Sequence, residues 1–398
     1  VNKKYREASE LSAYPGNYSM LDGCSSWAYL GPMLASFFDL TLADLNTLLM
    51  ERGLNKFASS QVFDWVYKKG VRDPQLMTNI SKDTREWLLV TLDFSLPKIV
   101  WQGLSKDGTR KFLIGFRDQQ TVETVAIPAR DRLTLCVSSQ VGCAIGCTFC
   151  HTATQGLKRH LKPSEVVGQF LAVQEWLAQN VHVEEKLTNI VYMGQGEPLH
   201  NYDNIKKATE IFLEPKGMGL GQRRITLSTS GLVPAIQKLI DFPPVNIAIS
   251  LHAAHNNVRT ELMPINKVYD LDRLFAAIKT IPLKAHRRIT YEYLLIDGLN
   301  DGPADVAGLV GLLPKGESKV NLIPFNEYPG SKYKRPSEKT VYWFMQELES
   351  QGVTCTVRTT KGTDILAACG QLKSAYEDGS LNLWEIPRSA STSSAALP

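Results

Sequence analysis

Apolar and polar positions along this chain follow two rhythms. From 41 to 92 the period is helical: 41–52 and 59–69 carry apolar residues at helical spacing, and Ser81 is placed to cap a third helix running to 92. Between 97 and 126 short alternating runs at 110–116 and 121–127 flank polar turns, the pattern of hairpins. Beyond 130, apolar β-rich runs at 133–137, 190–193, 225–227, 245–249, 289–296 and 320–323 alternate with stretches of helical spacing at 163–179, 204–213, 233–240, 271–281 and 337–352. Such alternation predicts an α/β fold in which helices cover a parallel sheet, wound as a full or partial (β/α) barrel. Little periodicity is visible in 1–35, read as a poorly ordered lead-in, or in 386–398, read as a flexible tail. The expected organisation is therefore a helical accessory domain over 36–96, a β-hairpin connector over 97–130 and a barrel core over 131–385.

Composition narrows this modestly. Hydrophobic residues make up 43% and charged residues 21% of the 398 positions, which excludes disordered and fibrous classes. The longest apolar runs, such as 246–251, are strand-sized, far short of the ~20 residues of a membrane span, so no membrane partner is expected. A net charge of +4 permits a polyanionic partner without requiring one. Seven cysteines, three of them within 143–150, point to a metal site in a reducing compartment and not to a disulfide framework. The cytoplasm is the expected location, with an organelle matrix left open because the chain starts at Val1 without an initiator Met.

Those three, Cys143, Cys147 and Cys150, directly follow the first barrel-type run with gaps of three and two residues. Structural zinc usually takes four protein ligands, so zinc would need a further group such as His151, whereas three thiolates on a four-iron cluster leave one iron open. The Cys-x3-Cys-x2-Cys spacing, with Phe149 before the last cysteine, resembles the radical S-adenosylmethionine (SAM) superfamily, whose cofactor chelates the open iron. In a βα barrel the active groups sit where strands end. After the second run stands Gly194-Gln195-Gly196-Glu197-Pro198, where Gly196 admits close backbone approach and Glu197 can accept from the cofactor's ammonium group. Ser228-Thr229-Ser230-Gly231, Ser250-Leu251-His252 and Pro324-Phe325-Asn326 close later runs. Ser228, Ser250, Leu251, His252 and Asn326 are thus candidates for holding the cofactor's ribose, carboxylate and adenine. Singly, each such group is more often a cap or turn residue.

Longer blocks carry a finer resemblance. Leu135-Cys136-Val137-Ser138-Ser139-Gln140-Val141-Gly142-Cys143, Gly196-Glu197-Pro198-Leu199, Leu227-Ser228-Thr229-Ser230-Gly231 and Ala367-Ala368-Cys369-Gly370-Gln371-Leu372 resemble the RNA adenine C2-methyltransferase family, RlmN, and its C8-methylating relative Cfr. The resemblance runs from about 40 to 372. It implies a partial (β/α) barrel of the radical SAM type, one 4Fe-4S cluster, and two S-adenosyl-L-methionine molecules per turnover. It also implies a substrate adenine in 23S ribosomal RNA and in tRNA, and a reductant of the flavodoxin or ferredoxin type. One cofactor would methylate Cys369; a second would yield the radical that activates that methyl for addition to C2. Glu123 matches the family's proton acceptor, and Cys136 would attack the Cys369 sulfur to release product and leave a disulfide, later reduced. For both cysteines the alternative is a buried unreactive thiol, and for Glu123 a solvated strand glutamate. Cys24 and Cys355 match no motif.

The helical region at 41–92 is expected to help grip RNA. Lys158-Arg159-His160, Arg223-Arg224, His286-Arg287-Arg288 and Lys332 to Arg335 are candidate phosphate contacts around the barrel mouth, or else solvated surface patches. A monomer suffices for such an architecture. Departures from the family pattern are Gln195, where methionine is common, and His151. Two other readings stand beside this one: C8 methylation, and a non-catalytic RNA-binding protein with structural zinc.

Overall fold

Ten strands of the main sheet lie side by side in the order in which the chain makes them. This computed structural model describes residues 34–55, 57–181, 186–283, 287–328, 330–368 and 370–372. Three strands open the sheet, β1 (Lys98–Leu104), β2 (Arg110–Gly115) and β3 (Thr121–Ala129), joined antiparallel to one another and to β4 (Arg132–Cys136). From β4 onward all pairings are parallel: β5 (Leu187–Tyr192), β6 (Ile225–Thr229), β7 (Asn246–Ser250), β8 (Ile289–Leu295), β9 (Ser318–Pro324) and β10 (Thr354–Val357). Parallel connections that step one strand at a time, with the hand such crossovers favour, place the helices on one outer face and gather the strand ends at one mouth. The result is the expected partial barrel.

One expectation changes. Residues 97–130 are not a connector but three strands of the same sheet, because β3 pairs with β4 from Val125 to Ala129. The strand β1 was missed because its residues are only partly buried and carry no clean alternation. The helical segment, α1 (Leu42–Glu51), α2 (Phe57–Phe63) and α3 (Lys82–Thr91), shares its core with the barrel: Phe37, Phe63 and Leu88 belong to the same buried cluster as Phe170 and Phe212 of the covering helices. Local signals set its ends. Thr41 and Asp44 form a reciprocal capping box on α1, and Ser81 accepts from the Thr84 N–H at the start of α3, as its position predicts. Expectations for 1–33 and 373–398 lie outside the described residues. No helix among the described residues is long and apolar enough to cross a membrane.

Candidate active site

Beyond β4 the chain makes a tight ribbon, Gln140–Gly142 against Leu157–His160, and the cysteine loop is its tip. Gly142 makes this turn possible: at φ +72° its α-carbon faces the Gly156 carbonyl so closely that a Cβ would stand 1.7 Å from the oxygen. Gly142→Ala is therefore expected to destabilise the protein by on the order of 3 kcal/mol, read from denaturant unfolding of the apoprotein. The ribbon aims Cys143, Cys147 and Cys150 into a cavity of about 170 Å³ that they line together with Gly196, Glu197, Ser228, Ser250 and His252.

The donor set fits an iron-sulfur cluster. Burial pushes the Cys143 thiol up to about 12, with Glu197 and Cys150 adding to the rise, and pushes Cys147 well up from the ordinary thiol range. Three thiolates in this pocket thus call for a bound cationic group. Phe149 sets its ring edge against His252, 4.9 Å between centroids, and belongs with Leu262, Met263, Ile323 and Phe325 to an apolar cluster on which Cys147 and Cys150 pack. That wall covers one side of the cysteines, which are themselves partly buried. His151 turns elsewhere, stacked on Tyr328 at 4.7 Å. Among the described residues no three His, Cys, Asp or Glu side chains gather as ligands of a single ion would. Thiols spread around a shared cavity suit a polynuclear group better than zinc.

Glu197 sits beside the cysteines. Gly196, at φ +98°, lets its loop press against Gln140, whose amide oxygen accepts from the Glu197 N–H at 2.8 Å. The Glu197 carboxylate accepts from the backbone N–H groups of Leu199 (2.9 Å) and Ser230 (2.7 Å), and burial still raises its pKa. An ammonium group in the cavity would complete its shell. At the end of β7, His252 adopts φ +59° and burial drives its pKa down to about 3, so the ring is neutral. Its Nδ1 accepts from the Leu294 N–H, leaving a proton on Nε2 for donation.

Two candidates are not on this wall. Leu251 buries its side chain in the main core and spends its N–H on the Glu292 carbonyl and its carbonyl on Arg259. Asn326 is buried one residue beyond Phe325, which takes the place on the wall. Sequence reading also missed three wall residues. Glu292, on β8, accepts from Asn321 and has its pKa raised by burial, against the pull of Arg358, which lines the same cavity. Met193 lies beside Arg358. Glu292 lies inside a strand and Met193 and Arg358 just past strand ends, none within a motif, so only the fold reveals them.

Arg259 organises this rim. It is fully buried and donates to the carbonyls of Leu251 (3.1 Å), Ser230 (2.8 Å) and Ser250 (3.4 Å) and to Asn266 Oδ1 (2.8 Å), tying the ends of β6 and β7 together. Burial lowers its pKa to about 10, which leaves it charged at neutral pH. Arg259→Met strands several buried acceptors and is expected to destabilise by roughly 3–5 kcal/mol. Arg259→Lys, unable to span the fork, should weaken SAM binding at least tenfold by equilibrium dialysis if the rim positions the cofactor groups.

A second cluster adjoins the cavity. Cys136 is buried with Val125, Ala367 and Leu372, and Met193 packs on the same group. Glu123 is two residues from Val125, on the same face of β3, buried and paired with Lys111 at 3.2 Å. The solvated-glutamate alternative is thereby excluded. Gln195 holds this region to the cofactor loop: its Oε1 accepts from the Glu123 N–H and its Nε2 donates to Gln155. The C-terminal stretch is anchored from two sides. Asp364 accepts from Ser105 and from the Lys106 N–H in the β1–β2 turn, while the N–H of His151 donates to the Gly370 carbonyl and Thr152 to that of Leu372. Cys369 itself lies outside the described residues.

The basic clusters do not all ring the mouth. Arg223 and Arg224 immediately precede β6, while Arg287 and Arg288 precede β8 and bond Asn246 and Thr354 at the starts of β7 and β10, the opposite end of the sheet. His286 lies outside the described residues. Arg159 is taken up by Asp118 and Glu165. Lys332, Lys334 and Arg335 follow β9 on the mouth side, paired with Glu261, Glu327 and Glu338.

Residues 137–310 match the radical SAM superfamily, and residues 35–91 match the ribosomal RNA large subunit methyltransferase N-terminal domain. The chain is 44% identical to a dual-specificity RNA methyltransferase RlmN of Syntrophobacter fumaroxidans, across 85% of this chain and 98% of that protein. Against the RlmN of Bdellovibrio bacteriovorus it is 42% identical across 86% of this chain and 84% of that one. The crystal structure of a radical SAM methyltransferase from Sphaerobacter thermophilus superposes with a TM-score of 0.78 at 41% identity, over 85% of this chain and 99% of that one.

Proposed function

The chain belongs to the RlmN family of radical SAM RNA methyltransferases, and from that premise we propose that it methylates C2 of an adenine in 23S ribosomal RNA and in tRNA through a methylated Cys369. As a radical SAM RNA methyltransferase it uses a 4Fe-4S cluster and S-adenosyl-L-methionine. The observation that carries the finer reading is the adjacency of two groups of residues. Cys143, Cys147, Cys150 and Glu197 share one cavity, and Met193 and Gly370 on its wall lead directly to the cluster around Cys136, Ala367 and Leu372.

The three cysteines would hold the cluster, Glu197 would receive the cofactor's ammonium group, and Ser228, Ser250 and His252 would orient the rest. When bound, cluster and cofactor supply the methyl group and the radical that activates it. C2 is electron-poor and its hydrogen is unactivated, so a methyl cation equivalent has no nucleophile to attack there; the Cys369 sulfur would instead accept the methyl, and the radical would make that carbon able to add to C2. Cys369 would carry the one-carbon unit to C2 as a carbon radical, its hydrogen atom having passed to the cofactor-derived radical. Glu123 then takes the C2 proton while the surplus electron would leave to the cluster, so that a Cys369–CH2–C2 thioether remains, and the Cys136 thiolate attacks its sulfur. The carbon–sulfur electron pair passes to the carbon, which is protonated to the methyl, and a Cys136–Cys369 disulfide remains. Two electrons from a flavodoxin- or ferredoxin-type donor reopen it, which suits a monomer working in the reducing cytoplasm. The target base must leave its stack to reach the cavity.

Mass spectrometry of rRNA and tRNA after anaerobic incubation with SAM and reductant tests the reading. It predicts 2-methyladenosine. Appearance of 8-methyladenosine would transfer the chain to the sister chemistry, and unmethylated RNA from enzyme with an intact cluster would overturn the substrate.

A further inference from the structure

Lys111 has no place in the sequence motifs, yet it stands at the head of the second cluster. In β2 it pairs with Val125 of β3, Val125 pairs with Cys136 of β4, and Cys136 with Val191 of β5, so the four form one row across the sheet. The Lys111 side chain is 10% exposed. Its Nζ donates to Glu123 Oε1 at 3.2 Å and to the Leu366 carbonyl at 3.3 Å, over the face of Trp101. Leu366 holds a left-handed conformation, φ +50°, that turns the chain into Ala367 and Ala368. A buried ion pair is a poor way to gain stability, since a well-packed apolar pair commonly does as well. A single ammonium bridging a buried carboxylate and the backbone of the carrier loop therefore calls for another account.

We propose that Lys111 is a positioning residue for the methyl transfer: it fixes the Glu123 carboxylate relative to the 362–372 loop, so that proton removal can follow carbon transfer. The inference rests on the reading of Glu123 as proton acceptor. It concerns the late step only, because the loop keeps other anchors without Lys111. Gly362 donates to Asp107, Asp364 accepts from Ser105, and Gly370 accepts from His151.

The test compares wild type, Lys111→Met, Lys111→Arg, Glu123→Gln and the double variant Lys111→Met/Glu123→Gln in the reconstituted enzyme. Three quantities are read: methyl on the Cys369 peptide, methylated adenine in RNA, and RNA covalently retained on the protein in denaturing gels. For Lys111→Met the expected result is methyl loading near wild type, RNA product reduced by about 10- to 100-fold, and accumulation of the RNA adduct. Lys111→Arg, which restores the cation, should recover most of the lost rate. The double variant should be no slower than Glu123→Gln alone, because Lys111 acts through that carboxylate. Wild-type turnover in Lys111→Met, losses that multiply in the double variant, or Arg rescuing no better than Met would each overturn the proposal. Should Lys111→Met fail to load its cluster, Lys111→Arg against Lys111→Gln carries the same comparison. Wild-type turnover in Glu123→Gln would instead remove the proton-acceptor reading itself.

Discussion

RNA incubated with the Cys369→Ala enzyme is expected to carry no methyladenine, below about 10⁻⁴ of the wild-type yield, while iron and sulfide content stay at wild-type level. The sulfur is the only proposed acceptor of the first methyl and the only proposed donor to C2, so its removal cannot be compensated by better binding elsewhere. The three cluster cysteines stand on a different loop, between β4 and its covering helix, which is why iron content should not follow activity. Cys136→Ala separates the two ends of the pathway: it should still accept a methyl on Cys369 but hold RNA covalently, seen as a protein band shifted by bound RNA. Product at even a tenth of the wild-type rate from Cys369→Ala would mean that methyl reaches RNA without the carrier.

Cys147→Ala is the second large effect. The thiol lies in a pocket where burial and the neighbouring cysteines disfavour its ionisation, so only a bound cationic group makes its thiolate stable. Loss of one ligand of three would leave the cluster held by two thiolates beside the apolar cluster of Phe149 and Met263, on which Cys147 packs. Iron and sulfide after anaerobic reconstitution should fall to background, with RNA methylation falling below about 10⁻⁴ of wild type. The apoprotein should retain its melting temperature within a few degrees, since Cys147 is only partly buried and a Cys to Ala change removes little volume. A variant that keeps both cluster and activity would show that iron is held elsewhere.

How far was this legible beforehand? Parallel strands buried on both faces announce themselves as continuous apolar runs, and β4 to β9 were found that way. The edge strand β10, Thr-Cys-Thr-Val, was not, because an edge buries too little to write such a run. Helices at Asn256–Leu262 and Pro303–Leu312 escaped for a related reason: the first is short, and the second is apolar nearly all round and shows no face. At the site, spacing singled out Cys143, Cys147 and Cys150 and strand-end grammar singled out Glu197 and His252, and the fold brings these to one cavity. Leu251 and Asn326 do not line that cavity, since the grammar locates a strand end without saying which residue faces inward. Lys111 and Arg259 were invisible for a deeper reason. A cation in a sequence looks solvated until the fold shows which carbonyls surround it.

The anchoring of the C-terminal loop has a consequence for how the molecule is made. The bonds from Ser105 and Lys106 to Asp364 join positions 259 and 258 residues apart. A nascent chain emerging at ~5–20 residues per second presents the whole sheet and the cysteine loop before residues 362–372 leave the ribosome. Closure by so distant a segment comes last. Until then the cavity lacks its Gly370 side, which gives iron and sulfide a wider opening during biogenesis. A chain stalled before 362 would own the radical-generating half of the catalyst and nothing to receive the methyl, so the order of synthesis itself delays reactivity until the receiver is in place.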